Sequence, residues 1–177
     1  MDLGSVSVVI PAHNRPEKLR RLLHYYSKTN FQILVSDSSD VPFPYLSEFP
    51  ELQYFHFPKE QFLLKIFKIL PSIHTEYVVY CADDDFIVPQ AIEQAILFLD
   101  IHPDYNSAQG HYLSYEIKKN GVDFFPAFIR NFEKDTNQSY PSERLLEYKN
   151  LYASLLYSVI RANTFIEMYN KCVEGET

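Results

Sequence analysis

The sequence predicts an α/β fold of three layers, α/β/α, around a mostly parallel central sheet. Three observations predict it. Short apolar, β-branched runs recur at Val6 to Ile10, Phe31 to Val35 and Tyr77 to Cys81, as in strands buried on both faces. The segments following the first and third carry apolar residues at helical spacing. Each run also ends in polar residues instead of a tight hairpin turn, as right-handed βαβ crossovers require.

Val6-Ser-Val-Val-Ile10 is the first strand, ended by Pro11. After the loop Pro11 to Pro16, Leu19, Leu22, Leu23 and Tyr26 give one apolar helix face, with Arg20, Arg21 and Lys28 on the remaining faces. Phe31 to Val35 is the second strand and runs into Ser36-Asp-Ser-Ser-Asp40, a loop of hydrogen-bond acceptors. Val41 to Pro50, rich in Pro and aromatics, reads as a connection, and Leu52 to Phe57 as a third strand. Phe62, Ile66, Phe67 and Leu70 form the stripe of a second helix, stopped by Pro71. The strand from Tyr77 leads into Asp83-Asp84-Asp85, and a helix runs from Pro89 to about Ile101.

Beyond Pro103 the pattern weakens. Ser107 to Ile117 reads as a strand, Lys118 to Gly121 as a turn, and Phe124 to Phe132 has no clear period. Pro141 to Tyr148 reads as a helix capped by Ser142, Leu155 to Ile160 as a strand and Thr164 to Tyr169 as helical. With no repeat, low-complexity stretch or linker, residues 1–177 are expected to form one domain.

The 177 residues are 46% hydrophobic, enough for a substantial core. A formal charge of -7, with no block of Lys and Arg, argues against nucleic acid as a partner. Two cysteines exclude a disulfide scaffold and fit a reducing, cytoplasmic setting. No apolar run has membrane-spanning length and no signal-peptide pattern is present.

Asp83, Asp84 and Asp85 carry the chemistry. Three adjacent carboxylates after a buried strand repel one another, so something must compensate for them. The simplest compensator is a hard divalent cation, Mg²⁺ or Mn²⁺, with substrate phosphates completing its shell. The plainer alternative is that they cap the next helix. Three loops converge at one sheet edge: His13, Asn14 and Arg15 in the first, Ser36 to Asp40 in the second, the acids in the third. Together they can hold a nucleoside diphosphate, although His13 and Asn14 also serve as turn formers. With four Gly in the chain there is no Gly-rich phosphate cradle, leaving the cation to carry the diphosphate charge.

Val6-Ser-Val-Val-Ile-Pro-Ala-His-Asn-Arg15, Ile33-Leu-Val-Ser-Asp-Ser-Ser39 and Glu76-Tyr-Val-Val-Tyr-Cys-Ala-Asp-Asp-Asp-Phe-Ile-Val-Pro89 resemble, in order, the signatures of family 2 glycosyltransferases of the GT-A fold. The resemblance covers roughly residues 1–105, including His102-Pro103, and Leu155 to Arg161 matches more weakly. It implies a nucleotide-sugar-binding half over 1–105 and an incomplete acceptor-side half over 106–177. By the same resemblance Pro11, Ala12 and His13 line the nucleotide pocket, Asp37 bonds the base, and Asp83 to Asp85 form the DXD-type motif. Counted back from Pro89, Asp84 is the direct metal ligand and Asp83 the ribose or supporting contact, with Asp85 interchangeable with either. Ala82 stands where many relatives have a further Asp.

The implied reaction is attack by a saccharide or other acceptor hydroxyl on the sugar carbon of a nucleoside-diphosphate sugar, with inversion. The cation would stabilise the leaving group and a carboxylate would take the proton. The resemblance puts that base shortly after a segment like Leu155 to Arg161, where this chain reaches Glu174-Gly-Glu-Thr177. The base is therefore unassigned; Glu174, Glu176, Asp123, Glu133 and Asp135 are not singled out, and the chain is expected to be the donor-binding portion of a longer enzyme. Competing readings are a nucleotidyltransferase, a receiver domain and a non-catalytic nucleotide-binding domain of the same fold.

Overall fold

The structure, a computed structural model, describes residues 5–127, 137–151 and 155–175. These belong to two compact units, one of residues 1–108 and 156–177 and one of residues 109–155.

The larger unit contains β1 (Val6–Ala12), α1 (Pro16–Tyr26), β2 (Gln32–Asp37), β3 (Gln53–His56), α2 (Phe62–Phe67), β4 (Tyr77–Tyr80), α3 (Pro89–Ile101) and β5 (Ser107–Ala108). In the smaller unit, β6 (Leu113–Lys118), β7 (Gly121–Pro126) and α4 (Pro141–Leu151) follow. β8 (Val159–Arg161) and α5 (Ala162–Glu174) return the chain to the larger unit. The six-stranded sheet has the order β3-β2-β1-β4-β8-β5, with β3, β2, β1 and β4 parallel and β8 antiparallel to both its neighbours.

Strand alternation sends Val6, Val8 and Ile10 to one face, where they meet Leu19, Leu22 and Leu23 of α1 and Ile92, Ile96 and Leu99 of α3. Val9, Val78 and Tyr80 face the other side, against Ile66 of α2 and Phe165 of α5. Both faces are thus covered, the three-layered arrangement the apolar strands predict. Ser7, buried among them, is satisfied by Gln32 Oε1 at 2.6 Å and by the Thr75 hydroxyl at 2.7 Å.

Several boundaries differ from expectation. Pro11 does not end β1, which pairs on through Pro11 opposite Ser36 and Ala12 opposite Asp37. Val9 turns its carbonyl to β4, accepting from Cys81 N–H at 3.0 Å, and Ala12 turns its carbonyl to β2, accepting from Ser38 N–H at 3.0 Å. The alternation places the Pro11 nitrogen on the β4 side, past the last β1–β4 pair, Val9 with Tyr80, where no donor is needed. α2 stops at Phe67 and a separate 3₁₀ turn, Leu70–Ser72, takes in Pro71. The strand expected over Ser107 to Ile117 is two, β5 and β6. α4 starts at Pro141, so Ser142 lies inside the helix and is not its cap; proline's fixed φ suits the first helical position.

In the smaller unit β6 and β7 form an antiparallel hairpin turning at the expected Lys118 to Gly121, with Tyr115 opposite Phe124 and Ile117 opposite Val122. Part of Phe124 to Phe132 lies outside the described residues. No described helix is long and apolar enough to cross a membrane.

Candidate functional site

The strand order supplies the site. From β1 the chain builds β2 and β3 on one side, and β4 then lies on the other, so the connection reverses direction between β1 and β4. In open parallel sheets the carboxyl ends of strands at such a reversal part to leave a crevice. The loop after β1 carries His13, Asn14 and Arg15, the loop after β2 runs from Ser38, and the turn after β4 holds the three aspartates.

The first two loops are tied together through buried polar groups. Asp37, 2% exposed, accepts at Oδ1 from the Ser39 backbone N–H at 2.8 Å and from the Ser39 hydroxyl. Its Oδ2 accepts from the Tyr54 hydroxyl at 2.7 Å. Three of a carboxylate's roughly four acceptor positions are therefore filled inside the fold. Ser39 Oγ also receives the Asn14 backbone N–H at 2.7 Å. Asn14, at φ 52°, is left-handed, and its side chain bonds Asp40 at the backbone N–H (3.1 Å) and carboxylate (3.3 Å). Asn14 thus acts as the turn former that its residue type allows. His13 is exposed, with Nδ1 3.1 Å from both the carbonyl and the hydroxyl of Ser38.

Beneath these loops is Lys65, 3% exposed, whose ammonium donates to the Ala12 carbonyl at 2.7 Å and the Ser38 hydroxyl at 3.0 Å. Burial holds its pKa below the ordinary lysine value, against the opposing pull of Asp37 and Asp83.

The three acids separate. Asp83 is buried and meets Arg15 Nη1 at 3.2 Å. Desolvation nevertheless raises its pKa, outweighing Arg15. Asp84 Oδ2 accepts from Lys18 Nζ at 2.8 Å and Arg15 Nη1 at 3.0 Å, and the Lys18 bond first of all holds its pKa below the usual carboxylate range. Arg21 reaches the Asp84 carbonyl at 3.1 Å. Asp85 accepts from the Tyr157 hydroxyl just before β8.

The charge of the triplet is therefore compensated in part within the chain, by Arg15 and Lys18 at Asp83 and Asp84. Among the described residues no three His, Cys, Asp or Glu side chains gather as a metal cage. An ion here would rest on the accessible carboxylates, Asp84 and the more exposed Asp85, with its other ligands brought by a substrate.

A cleft opens beside this corner. Ala12, Leu19, Val41, Pro42 and Phe43 give it an apolar wall, while Asn14, Arg15, Asp37 and Ser39 supply polar edges. Arg15 belongs to both the cleft and the acid corner. Pro11 ends no strand here and does not line the cleft, whereas Ala12 does.

Matched against known proteins, the sequence fits no family profile and no curated protein. Among solved structures it is similar to S. aureus TarS 1-349, with a TM-score of 0.56 and 17% identity over 89% of this chain and 47% of that one. The complex of that protein with UDP-GlcNAc gives a TM-score of 0.55 at 17% identity, over 89% and 45% of the two chains. CMP:2-keto-3-deoxy-manno-octonic acid synthetase complexed with CTP gives 0.53 at 11% identity, over 94% and 78%. The fold is GT-A-like. The chain spans about half the length of the TarS structure it matches.

Sequence reasoning missed Lys65, Tyr54, Lys18 and Tyr157 and placed Arg21 on a solvated face. One signal was available, because Lys18 and Arg21, three residues apart, share one side of α1 next to the loop residue Arg15. Lys65 gave none, being a lysine beside the apolar stripe of α2. Glu133, Asp135 and Glu176 lie outside the described residues, and Glu174 is the last residue of α5.

Proposed function

We propose that this chain binds a nucleoside-diphosphate sugar and takes part in transferring the sugar to an acceptor hydroxyl. The observation that carries the proposal is that Arg15 joins the cleft to the acid corner. A base and ribose against the apolar wall would extend their phosphates past Arg15 toward Asp84.

Ala12 and His13 would border the nucleotide, with Asn14 shaping their turn. Asp37 has one acceptor position left for a base N–H after its bonds to Ser39 and Tyr54. Asp84 would hold Mg²⁺ or Mn²⁺, which when bound neutralises charge on the departing diphosphate. Asp83 would support Arg15, and Asp85 with Tyr157 would lie on the side away from α1. The acceptor and the proton-accepting base stay open. Support also comes from the fold, shared with a protein solved with UDP-GlcNAc and with UDP.

The test is a thermal shift with UDP, GDP or dTDP in the presence of Mn²⁺. At least one should raise the Tm, and the part of the shift that Mn²⁺ adds should disappear in Asp84→Asn; no shift with any of the three would overturn the reading. The second reading, nucleotidyl transfer, draws on the similarity to the synthetase solved with CTP, of which this chain covers 78%. Pyrophosphate release from a nucleoside triphosphate would decide for it.

A further inference from the structure

Resting on that reading, we infer that Arg15, Lys18 and Arg21 form the diphosphate-binding face of the site, and that Asp84 is the counterion holding this face in place until a nucleotide arrives.

Arg15 stands at the cap just before α1 and Lys18 and Arg21 leave the helix three and six residues on, and all three converge on one residue. Arg15 and Lys18 share Asp84 Oδ2 at 3.0 and 2.8 Å, and Arg21 reaches the Asp84 carbonyl at 3.1 Å while its guanidinium lies 4.9 Å from the Phe86 ring centroid. Among the described residues Arg21 forms no ion pair with a carboxylate, so the three cations outnumber the two acids they meet, Asp83 and Asp84. With Asp85 counted the corner is neutral, but it gathers three cations in a chain of formal charge -7. It is also accessible, since the Arg15 and Lys18 side chains are 50% and 47% exposed and that of Asp84 33%.

Half-exposed ion pairs are weak and easily exchanged. A diphosphate offers more charge and more acceptor oxygens than one carboxylate, and the N-terminal end of α1 adds its dipole to the attraction. The exchange therefore runs in one direction: the cations leave Asp84 for phosphate, and Asp84 is freed. No Gly-rich loop is needed, which accounts for a nucleotide site in a chain with four glycines.

The test is calorimetric titration of the whole chain with UDP and with uridine, in EDTA and in Mn²⁺, for wild type, Lys18→Met, Arg21→Met and Asp84→Asn. In EDTA, Lys18→Met and Arg21→Met should each weaken UDP binding about tenfold, the size of one charge-assisted hydrogen bond, and leave uridine binding unchanged. Unchanged uridine binding also shows that the variants fold. Asp84→Asn should tighten UDP binding in EDTA, because it removes the competing anion, and abolish the gain from Mn²⁺. If UDP binds wild type but Lys18→Met and Arg21→Met match it and Asp84→Asn does not tighten binding in EDTA, this inference fails while the nucleotide reading stands. If wild type binds neither UDP, GDP nor dTDP under either condition, both fail.

Discussion

The ammonium of Lys65 lies 2.7 Å from the carbonyl oxygen of Ala12, joining a helix on one face of the sheet to the end of the central strand. The same group donates to Ser38, so one buried charge pins both loops that border the cleft. Removing the ammonium leaves the Ser38 hydroxyl and the Ala12 carbonyl short of a donor and takes the positive charge from beside Asp37 and Asp83. Lys65→Met should therefore lose about 1 to 3 kcal/mol in urea unfolding, and its nucleotide affinity should fall because the His13 turn loosens. Lys65→Ala adds a cavity and should cost about 2 to 4 kcal/mol. Equal affinity in Lys65→Met and wild type would show that the tie does not shape the cleft.

Tyr54 tests the same region from β3. Its hydroxyl donates to Asp37 Oδ2 and accepts from the Phe43 backbone N–H at 2.8 Å. Tyr54→Phe leaves one acceptor and one donor short of partners at a buried site, a loss of about 1 to 3 kcal/mol. Chemical denaturation should show it, and because Phe43 walls the cleft, nucleotide binding should weaken as well.

These two residues mark where the sequence stops being readable. β1, α1, β4 and α3 were legible because each is fixed by its own apolar pattern, and Leu19, Leu22, Leu23 and Tyr26 are the residues α1 buries. Placing the aspartates between a buried strand and a helix followed from the same patterns. Lys65 was not legible, since nothing local says that a lysine beside Ile66 will point beneath the end of β1. The balancing of Asp84 was missed for a related reason: Arg15 reads as a loop residue of the site, while Lys18 and Arg21 look like a solvated helix face until β4 is laid beside β1. The Ser107 to Ile117 run failed differently, because its interruption near Gly110 is too weak a signal to separate a two-residue sheet strand from a hairpin.

The buried phenols and the thiol set the alkaline limit of the fold. Burial raises the pKa of Tyr26 and Tyr80 above the usual tyrosine value and pushes Tyr77 and Tyr169 up to about 12 and the Cys81 thiol up to about 12. Each folded pKa lies above its unfolded value, so the unfolded chain loses these protons first and stability falls as pH rises. The stability these groups contribute is complete below about pH 9 and is lost progressively toward pH 12. Urea midpoints measured at pH 8, 9, 10 and 11 should drop with increasing steepness, and while exposed phenols such as Tyr140 ionise in the folded chain, a further rise in tyrosinate absorbance should come only with unfolding. Complete tyrosine ionisation before unfolding would contradict this assignment.

Arg161, the last residue of β8, closes the sheet against α3. Its Nη2 donates to the Leu99 carbonyl at 2.6 Å, its Nε to the Tyr105 carbonyl at 2.9 Å, and the guanidinium lies 5.8 Å from the Tyr77 ring centroid. The carbonyls of the last helical turn have no partner within the helix, and a planar fork of donors can reach one of them together with the chain beyond. A lysine ammonium carries the same charge at a single point and cannot span both acceptors. Arg161→Lys should therefore destabilise the chain by about 1 to 2 kcal/mol, one hydrogen bond's worth with its unpaired acceptor. Hydrogen exchange should locate the loss at the end of α3 and in the short β5 pairing, where β8 meets Ser107 and Ala108. Nucleotide affinity should be unaffected, because Arg161 is in β8 and the cleft is built from the ends of β1 and β2. A fall in affinity matching the loss of stability would mean instead that β8 and the cleft unfold as one unit.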